Sequence, residues 1–342
     1  MAIQSSEIQW YLPQTVHDGP GNGGPLSARA IPDGVKNNVW PDVSQSERET
    51  GSTKYRKTFI KIANDDDLAL IAPRIFIETQ TPGDDSVVLM AGTQTDTQID
   101  ALDYTRFYGA GTLDSSLASG DATFDVNVEP GNEGSGHAIF QDGDLIRISD
   151  KTSVNAIDGH TEFLRLAASN AVSWNGTLAT LTLEEGVTVG FDYAALETRV
   201  ASVLETADIA ATISDWHESS LAGTYDESQY PVLGDNIGTI EQNWTLTFTS
   251  ATQFTCAGHS VGSVGTGSIY NTFAPVNPDF DQPYFTLAGG APPWGGTWAA
   301  GQTITWTTHP AAVALWEKRT VPAGANSRSG NKVVVAISGE SA

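Results

Sequence analysis

The chain is poor in cysteine, methionine and positive charge, and no long apolar run breaks its polar texture. One cysteine among 342 residues leaves no partner for a disulfide framework and no ligand set for a cysteine-rich zinc site. Seventeen Lys plus Arg stand against 41 Asp plus Glu, a formal net charge of -24. Affinity for nucleic acid comes from basic side chains displacing counterions from phosphates, so this balance argues against specific nucleic-acid binding. Attraction to anionic lipid surfaces is disfavoured for the same reason. No stretch approaches the ~20 apolar residues that span a bilayer. The start, Met1-Ala-Ile-Gln-Ser-Ser-Glu7, lacks the basic and apolar regions of a secretory signal. The expectation is a protein without a membrane span, made without export.

What is present argues for a folded chain. Hydrophobic residues make up 39% and charged ones 17%, with nine Trp and twelve Phe to bury, which is not the composition of a disordered acidic segment. The length suits two or three domains of roughly 100–150 residues each. Period-two alternation in Val, Ile, Thr, Phe and Trp, punctuated by Gly, Pro, Asn and Asp, predicts a mainly β protein. The expected fold is multi-domain, of antiparallel β-sandwich and barrel modules with one short helix.

Residues 1–103 read as an immunoglobulin-like sandwich. Tyr55–Ala63 and Ala72–Glu78 are its strands, joined through an acidic hairpin turn at Asn64–Asp67, and Val87–Met90 continues the sheet. Ala314–Val321 and Lys332–Ile337 look like closing strands that return to this block, so residues 312–342 are expected to complete it. Residues 104–204 read as a small β-barrel-like module. It is expected to end in a helix over Tyr193–Leu204, capped by Asp192, with Leu196, Val200, Val203 and Leu204 on one face. Residues 205–311 read as a further sandwich whose Gly/Ser/Pro-rich stretch, Gly258–Pro293, is expected to be a long interaction loop.

Motifs for chemistry are few. Gly258-His-Ser-Val-Gly262 matches the nucleophile-elbow pattern, but Ser260 lacks the following helix and the parallel sheet that the motif requires. Asp84 with Asp85, Asp142 with Asp144, and Glu184 with Glu185 are formal acid–base pairs for a glycosidase, though 41 acids make such neighbours unavoidable. Asp65–Asp67 lacks the rest of a calcium loop. The six His lie singly at 17, 137, 160, 217, 259 and 309 without metal-ligand spacing. Cys256 reads as a buried small hydrophobe. With neither a phosphate-binding nor a dinucleotide-binding loop, no cofactor or metal is expected, and no catalytic residue is assigned. The positive feature is aromatic: Tyr284, Trp294 and Trp298 sit among Gly and Pro, as exposed contacts for a protein partner or a host glycan would.

Three segments carry a likeness. They are Asn37-Asn-Val-Trp-Pro-Asp-Val-Ser-Gln-Ser-Glu-Arg48 leading to Gly51-Ser-Thr-Lys-Tyr-Arg-Lys57, Trp244-Thr-Leu-Thr-Phe-Thr-Ser-Ala-Thr252, and Trp316-Glu-Lys-Arg-Thr-Val-Pro-Ala-Gly324. In these the chain resembles virion structural proteins of tailed bacteriophages. The resemblance implies a particle component without an active site, located in the virion and touching copies of itself and other virion proteins. A tail position, in the tip, baseplate or tube, is the first expectation. A capsid decoration protein or a host-glycan-binding module is the alternative, followed by a glycan hydrolase.

Overall fold

The computed structural model describes residues 2–133, 137–193, 197–220 and 222–342. The first part of the chain forms β1 (Ile8–Thr15), β2 (Gly23–Ala30), helix α1 (Gln45–Thr50), β3 (Ser52–Ile62), β4 (Leu70–Thr79), β5 (Ser86–Ala91) and helix α2 (Gln98–Ala101). The second forms β6 (Ala110–Leu113), β7 (Thr123–Val128), β8 (Leu145–Ser149), β9 (Thr161–Arg165), β10 (Val172–Asn175), β11 (Leu178–Thr182), β12 (Arg199–Ser202) and β13 (Leu204–Glu205). The third contributes β14 (Thr212–Glu218), β15 (Gly223–Tyr225), β16 (Gln242–Phe248), β17 (Gln253–Gly258), β18 (Gly262–Ser268), β19 (Val276–Asn277), β20 (Gln282–Pro283), β21 (Trp294–Gly296) and β22 (Thr303–His309). The chain closes with β23 (Ala312–Val321) and β24 (Val334–Ser341). The protein is mainly β, with antiparallel pairing throughout these strands.

The framework is a five-stranded sheet, β2-β1-β3-β23-β5, facing a three-stranded sheet, β13-β4-β24. Strand β23 runs in unbroken antiparallel register with β3, from Ala312 opposite Lys61 to Val321 opposite Ser52. Ile60, Leu89 and Leu315 of the larger sheet share a core with Ile75, Ile77 and the half-buried Ile337 of the smaller one. The opposite face carries Val88, Met90 and Trp316 into the core of the second region. With both faces covered, β3 reads as nearly continuous burial rather than as an alternation of buried and exposed residues. The Asn64–Asp67 cluster is therefore not a hairpin turn: β3 and β4 belong to different sheets, and the segment crosses between them. Asp67, at φ 51, accepts a bond from Asn236 N at 2.7 Å. The Asn236 amide donates in turn to Asn64 Oδ1 at 2.7 Å. The acidic cluster is a clamp between framework and third region.

The second region is one antiparallel sheet, β10-β11-β7-β6-β12-β8-β9. It curls until its far ends meet, where Ala167 N donates to Thr182 O at 2.9 Å and Glu184 N to Arg165 O at 2.9 Å. Phe124, Val126, Ile146, Ile148, Leu181 and Val200 fill the interior. The helix expected over Tyr193–Leu204 is overturned. Residues 194–196 lie outside the described residues, and Arg199–Ser202 is the strand β12 between β6 and β8. The apolar spacing fitted a helix because the segment is buried on both sides: from Thr198 to Leu204 only Arg199 is not buried. A two-sided apolar run has no periodicity to separate strand from helix, and its β-branched Val200 and Val203 favour the strand. Among the described residues the α-helices are α1, whose Ser44 cap exchanges bonds with Glu47, and the single turn of α2.

The third region is built on the sheet β14-β22-β16-β17-β18, with the small pairs β15-β21 and β19-β20. Gly258–Pro293 is not one long loop. It contains β18 to β20, and Phe273 bridges Leu287 while Leu233 bridges Thr286. Its glycines provide flat backbone for rings to lie on: a Cβ at Gly267 would meet the Phe254 ring at 2.3 Å, as one at Gly223, outside the segment, would meet the Trp298 ring at 2.4 Å. The segment reads as loop because side chains are missing where aromatic faces take their place.

Candidate interaction surface

The residues singled out by sequence lie inside this third region. Tyr284, Trp294 and Trp298 are 6%, 8% and 2% exposed, so the expectation of outward-facing contacts is overturned. Trp298 stacks on Phe248 at 4.3 Å with the planes 7° apart. Trp294 meets Tyr225 edge-on at 4.7 Å and donates from Nε1 to Ala288 O at 2.8 Å, while Tyr284 packs on Trp244 at 5.2 Å. Each ring gains more from burying its 150–250 Å² than from display, and Gly/Pro-rich backbone lets it turn inward.

The formal chemical motifs are structural. Ser260 occupies the turn between β17 and β18, where Gln242 grips it twice: Ser260 N donates to Gln242 Oε1 at 3.0 Å, and Gln242 Nε2 donates to the hydroxyl at 2.5 Å. Asp84 receives two bonds from Asn326, and Asp85 receives one from Asn331. Asp142 accepts the N–H groups of Asn170 and Ala171. Asp144, its carboxyl raised by burial against the opposing pull of Arg106, pairs with that arginine at 2.7 Å. Burial lifts the Cys256 thiol to about 12, which leaves it protonated and inert. Among the described residues no cluster of three or more His, Cys, Asp or Glu is placed to hold a metal ion.

Two of the quoted segments, residues 37–57 and 316–324, meet in the framework as a buried charge lattice. Trp40 donates from Nε1 to Glu317 Oε2 at 2.8 Å, and its ring lies 5.1 Å from the Arg56 guanidinium and 4.7 Å from that of Arg319. Burial raises the Glu317 carboxyl, opposed by Trp40, Thr58 and Arg56. Glu47 at the cap of α1 pairs with Lys54 at 3.0 Å. Burial works to raise Glu47 as well, but its bonds from Ser44 and Lys54 hold it down at about 2. Nearby, Lys57 and Asp96 form an almost fully buried pair at 2.6 Å, and both Trp316 Nε1 and Tyr104 OH donate to the same carboxylate. These buried charges tie the segment before α1 to β3 and β23, where removing one partner of a pair is costly.

The third quoted segment, Trp244–Thr252, belongs to the surface that sequence reasoning missed. Strands β16, β17 and β22 alternate cleanly: Trp244, Leu246, Phe248, Phe254, Cys256, Ile304 and Trp306 are buried. The other face carries Asn243, Thr245, Thr247, Thr255, Thr303, Thr305 and Thr307. The register lines these up into rows. Thr303 stands opposite Thr247, Thr247 opposite Thr255, and Thr255 opposite Thr266 of β18. A neighbouring row holds Thr305, Thr245 and Ala257. A shallow depression of about 220 Å³ opens beside it, lined by Asp215, Asn243, Thr245, Thr305 and Thr307. The sequence signal was charge, not aromatics: from Gln242 to Trp316 the only Asp, Glu, Lys or Arg residues are Asp279 and Asp281. In a chain of net charge -24 this is a large neutral field.

No protein-family model, curated protein or solved structure matches the chain.

Proposed function

We propose that the protein is a non-enzymatic structural component of a tailed-bacteriophage virion, associated with the tail and assembled with copies of itself and other virion proteins. The observation that carries this reading is the neutral threonine face on a strongly acidic molecule. Copies of such a chain repel one another over most of their surface, and a field without charge removes that repulsion where contact is made. The sequence likeness supports it further. Two of its three segments lie in the framework's charge lattice and the third forms the centre of the threonine sheet, so the quoted residues take structural positions. The host-glycan reading loses its platform, because Tyr284, Trp294 and Trp298 face inward. Among the described residues no helix is long and apolar enough to cross a membrane.

The test is purified virions examined by protein mass spectrometry and by electron microscopy with gold-labelled antibody. The expected result is the chain among the particle proteins, with label on the tail. Its absence from intact particles overturns the virion reading, and label confined to the capsid overturns the tail position.

A further inference from the structure

The threonine sheet ends on one side at β18, and this edge differs from the others among the described residues. An open edge presents unpaired N–H and C=O groups to any passing strand, and proteins guard such edges with charge, proline, bulges or brevity. Edge strand β2 carries Pro25 and Arg29, β9 carries Glu162 and Arg165, β13 carries Glu205, and β24 carries Glu340. The opposite edge of the threonine sheet, β14, has Asp215, Glu218 and a register shift between Ser214 and His217. Strand β5 is covered, since Leu89 exchanges two backbone bonds with Tyr108. The uncharged β10 has only four residues, and β15, β19, β20 and β21 of the small pairs have two or three each. Strand β18, Gly-Ser-Val-Gly-Thr-Gly-Ser, has neither charge nor proline. Its register shift falls at Val264, where Gly265 takes φ 132, and Gly265–Ser268 then pair with β17 in unbroken register.

We infer that β18 is the seam on which a second copy of this chain docks, antiparallel and about a two-fold axis at Thr266. The inference rests on the reading that the chain assembles with itself, and it names the surface. Three features specify the occupant. First, the row Thr303, Thr247, Thr255, Thr266 stops at the sheet edge. A two-fold at Thr266 continues it into the same row of the partner, giving cross-strand threonine pairs across a single joined sheet.

Second, the backbone is available. Ile269 N donates to Thr252 O at 3.1 Å, and antiparallel alternation therefore turns the N–H and C=O of Thr266 away from β17. Third, the exposed apolar residues flank the strand in matching positions. Val261 is 38% and Tyr270 68% exposed, and the two-fold brings Tyr270 of each copy to the Val261–Gly262 turn of the other. A different acidic protein or an anionic ligand gains nothing from this edge, whereas a second neutral edge completes both the ladder and the row.

The experiment uses the full chain in sedimentation velocity over a range of concentrations, with Thr266→Lys, Ser173→Lys and Thr266→Cys variants. Paired residues of this kind have Cα atoms about 5.5 Å apart, within reach of a disulfide. The wild-type chain is expected to associate in even-numbered assemblies. Thr266→Lys places like charges together and is expected to raise the dissociation constant by about 100-fold or more. Ser173→Lys, on edge β10, leaves association unchanged. Oxidised Thr266→Cys runs as a covalent dimer on a non-reducing gel, while the wild-type chain, whose one cysteine is buried, does not. A melting temperature within a few degrees of wild type shows that each variant folds. A chain that associates, yet is unaffected by Thr266→Lys and does not cross-link through Cys at 266, overturns this seam and leaves self-assembly standing. A monomer at every concentration overturns both.

Discussion

The framework and the third region fix their strands by opposite means. In the framework, charges are taken inside: Lys57 with Asp96, and Glu317 beneath Trp40 with Arg56 and Arg319 close to the same ring. In the third region the core is a chain of aromatic contacts, from Phe248 on Trp298 to Phe285 on Trp306 at 5.0 Å, and from Gln242 to Trp316, where the framework has resumed, the only charged residues are Asp279 and Asp281. Buried ion pairs contribute little net stability but penalise wrong registers heavily, since a slip leaves a charge unpaired. Aromatic burial contributes stability directly and tolerates neutral surroundings. The framework must receive β23 from the far end of the chain, so a device that recognises register suits it. The third region is built from nearer segments, and its threonine rows carry no charge.

This contrast is broken most severely at Asp96. Asp96→Ala strands Lys57 and removes the acceptor of Trp316 and Tyr104, and is expected to destabilise the framework by about 5 kcal/mol, the upper end for a broken buried pair. The Lys57→Met, Asp96→Leu double variant should recover the part of that loss due to the stranded lysine, because neither charge is then left alone, while Trp316 and Tyr104 still lack their acceptor. Urea unfolding of the three proteins measures both effects, and equal losses in the single and double variants would show that packing, not charge, dominates the site. The aromatic counterpart is Trp298→Ala, expected to cost about 3–4 kcal/mol through loss of the stacked face on Phe248. Its signature is different: calorimetry should show the third region melting earlier while the framework transition stays in place.

Much of the strand pattern was legible because half-buried strands alternate, as Trp244, Leu246 and Phe248 do against Thr245 and Thr247. Alternation fails where both faces are covered, and so β12 looked helical while its true neighbours, β6 and β8, were invisible from local sequence. The pairing of β3 with β23 lies beyond any local signal. The site was misread for a different reason. Trp294 beside two prolines and a Gly pair looked displayed, but glycine also makes room for rings to lie flat on backbone, as Gly223 does under Trp298. The informative pattern was negative, a long absence of charge, and its meaning depends on β18 being an edge.

The smallest effect lies where the two regions touch. Lys61 on β3 is fully buried, its ammonium has no hydrogen-bond partner, and it sits 5.2 Å from the centre of the Phe280 ring of the third region. Burial lowers this lysine to about 8, against a small opposing pull from Asp235. Its folded value lies below the ordinary value of 10.5, so the native state prefers the neutral amine. Stability from this group therefore rises as pH is raised from about 8 to about 10.5 and is flat below that window. At pH 7 the lysine is charged in both states and its burial opposes folding. Lys61→Met, which keeps the length and removes the charge, is expected to stabilise the protein by about 1–3 kcal/mol at pH 7. The gain should shrink toward pH 10.5, where the wild-type amine is already neutral in the native state. Melting temperatures of both proteins between pH 7 and 10.5 test this. Parallel curves would mean that Lys61 keeps a solvated charge, and that the contact between the framework and the third region is wetter than the Phe280 packing implies.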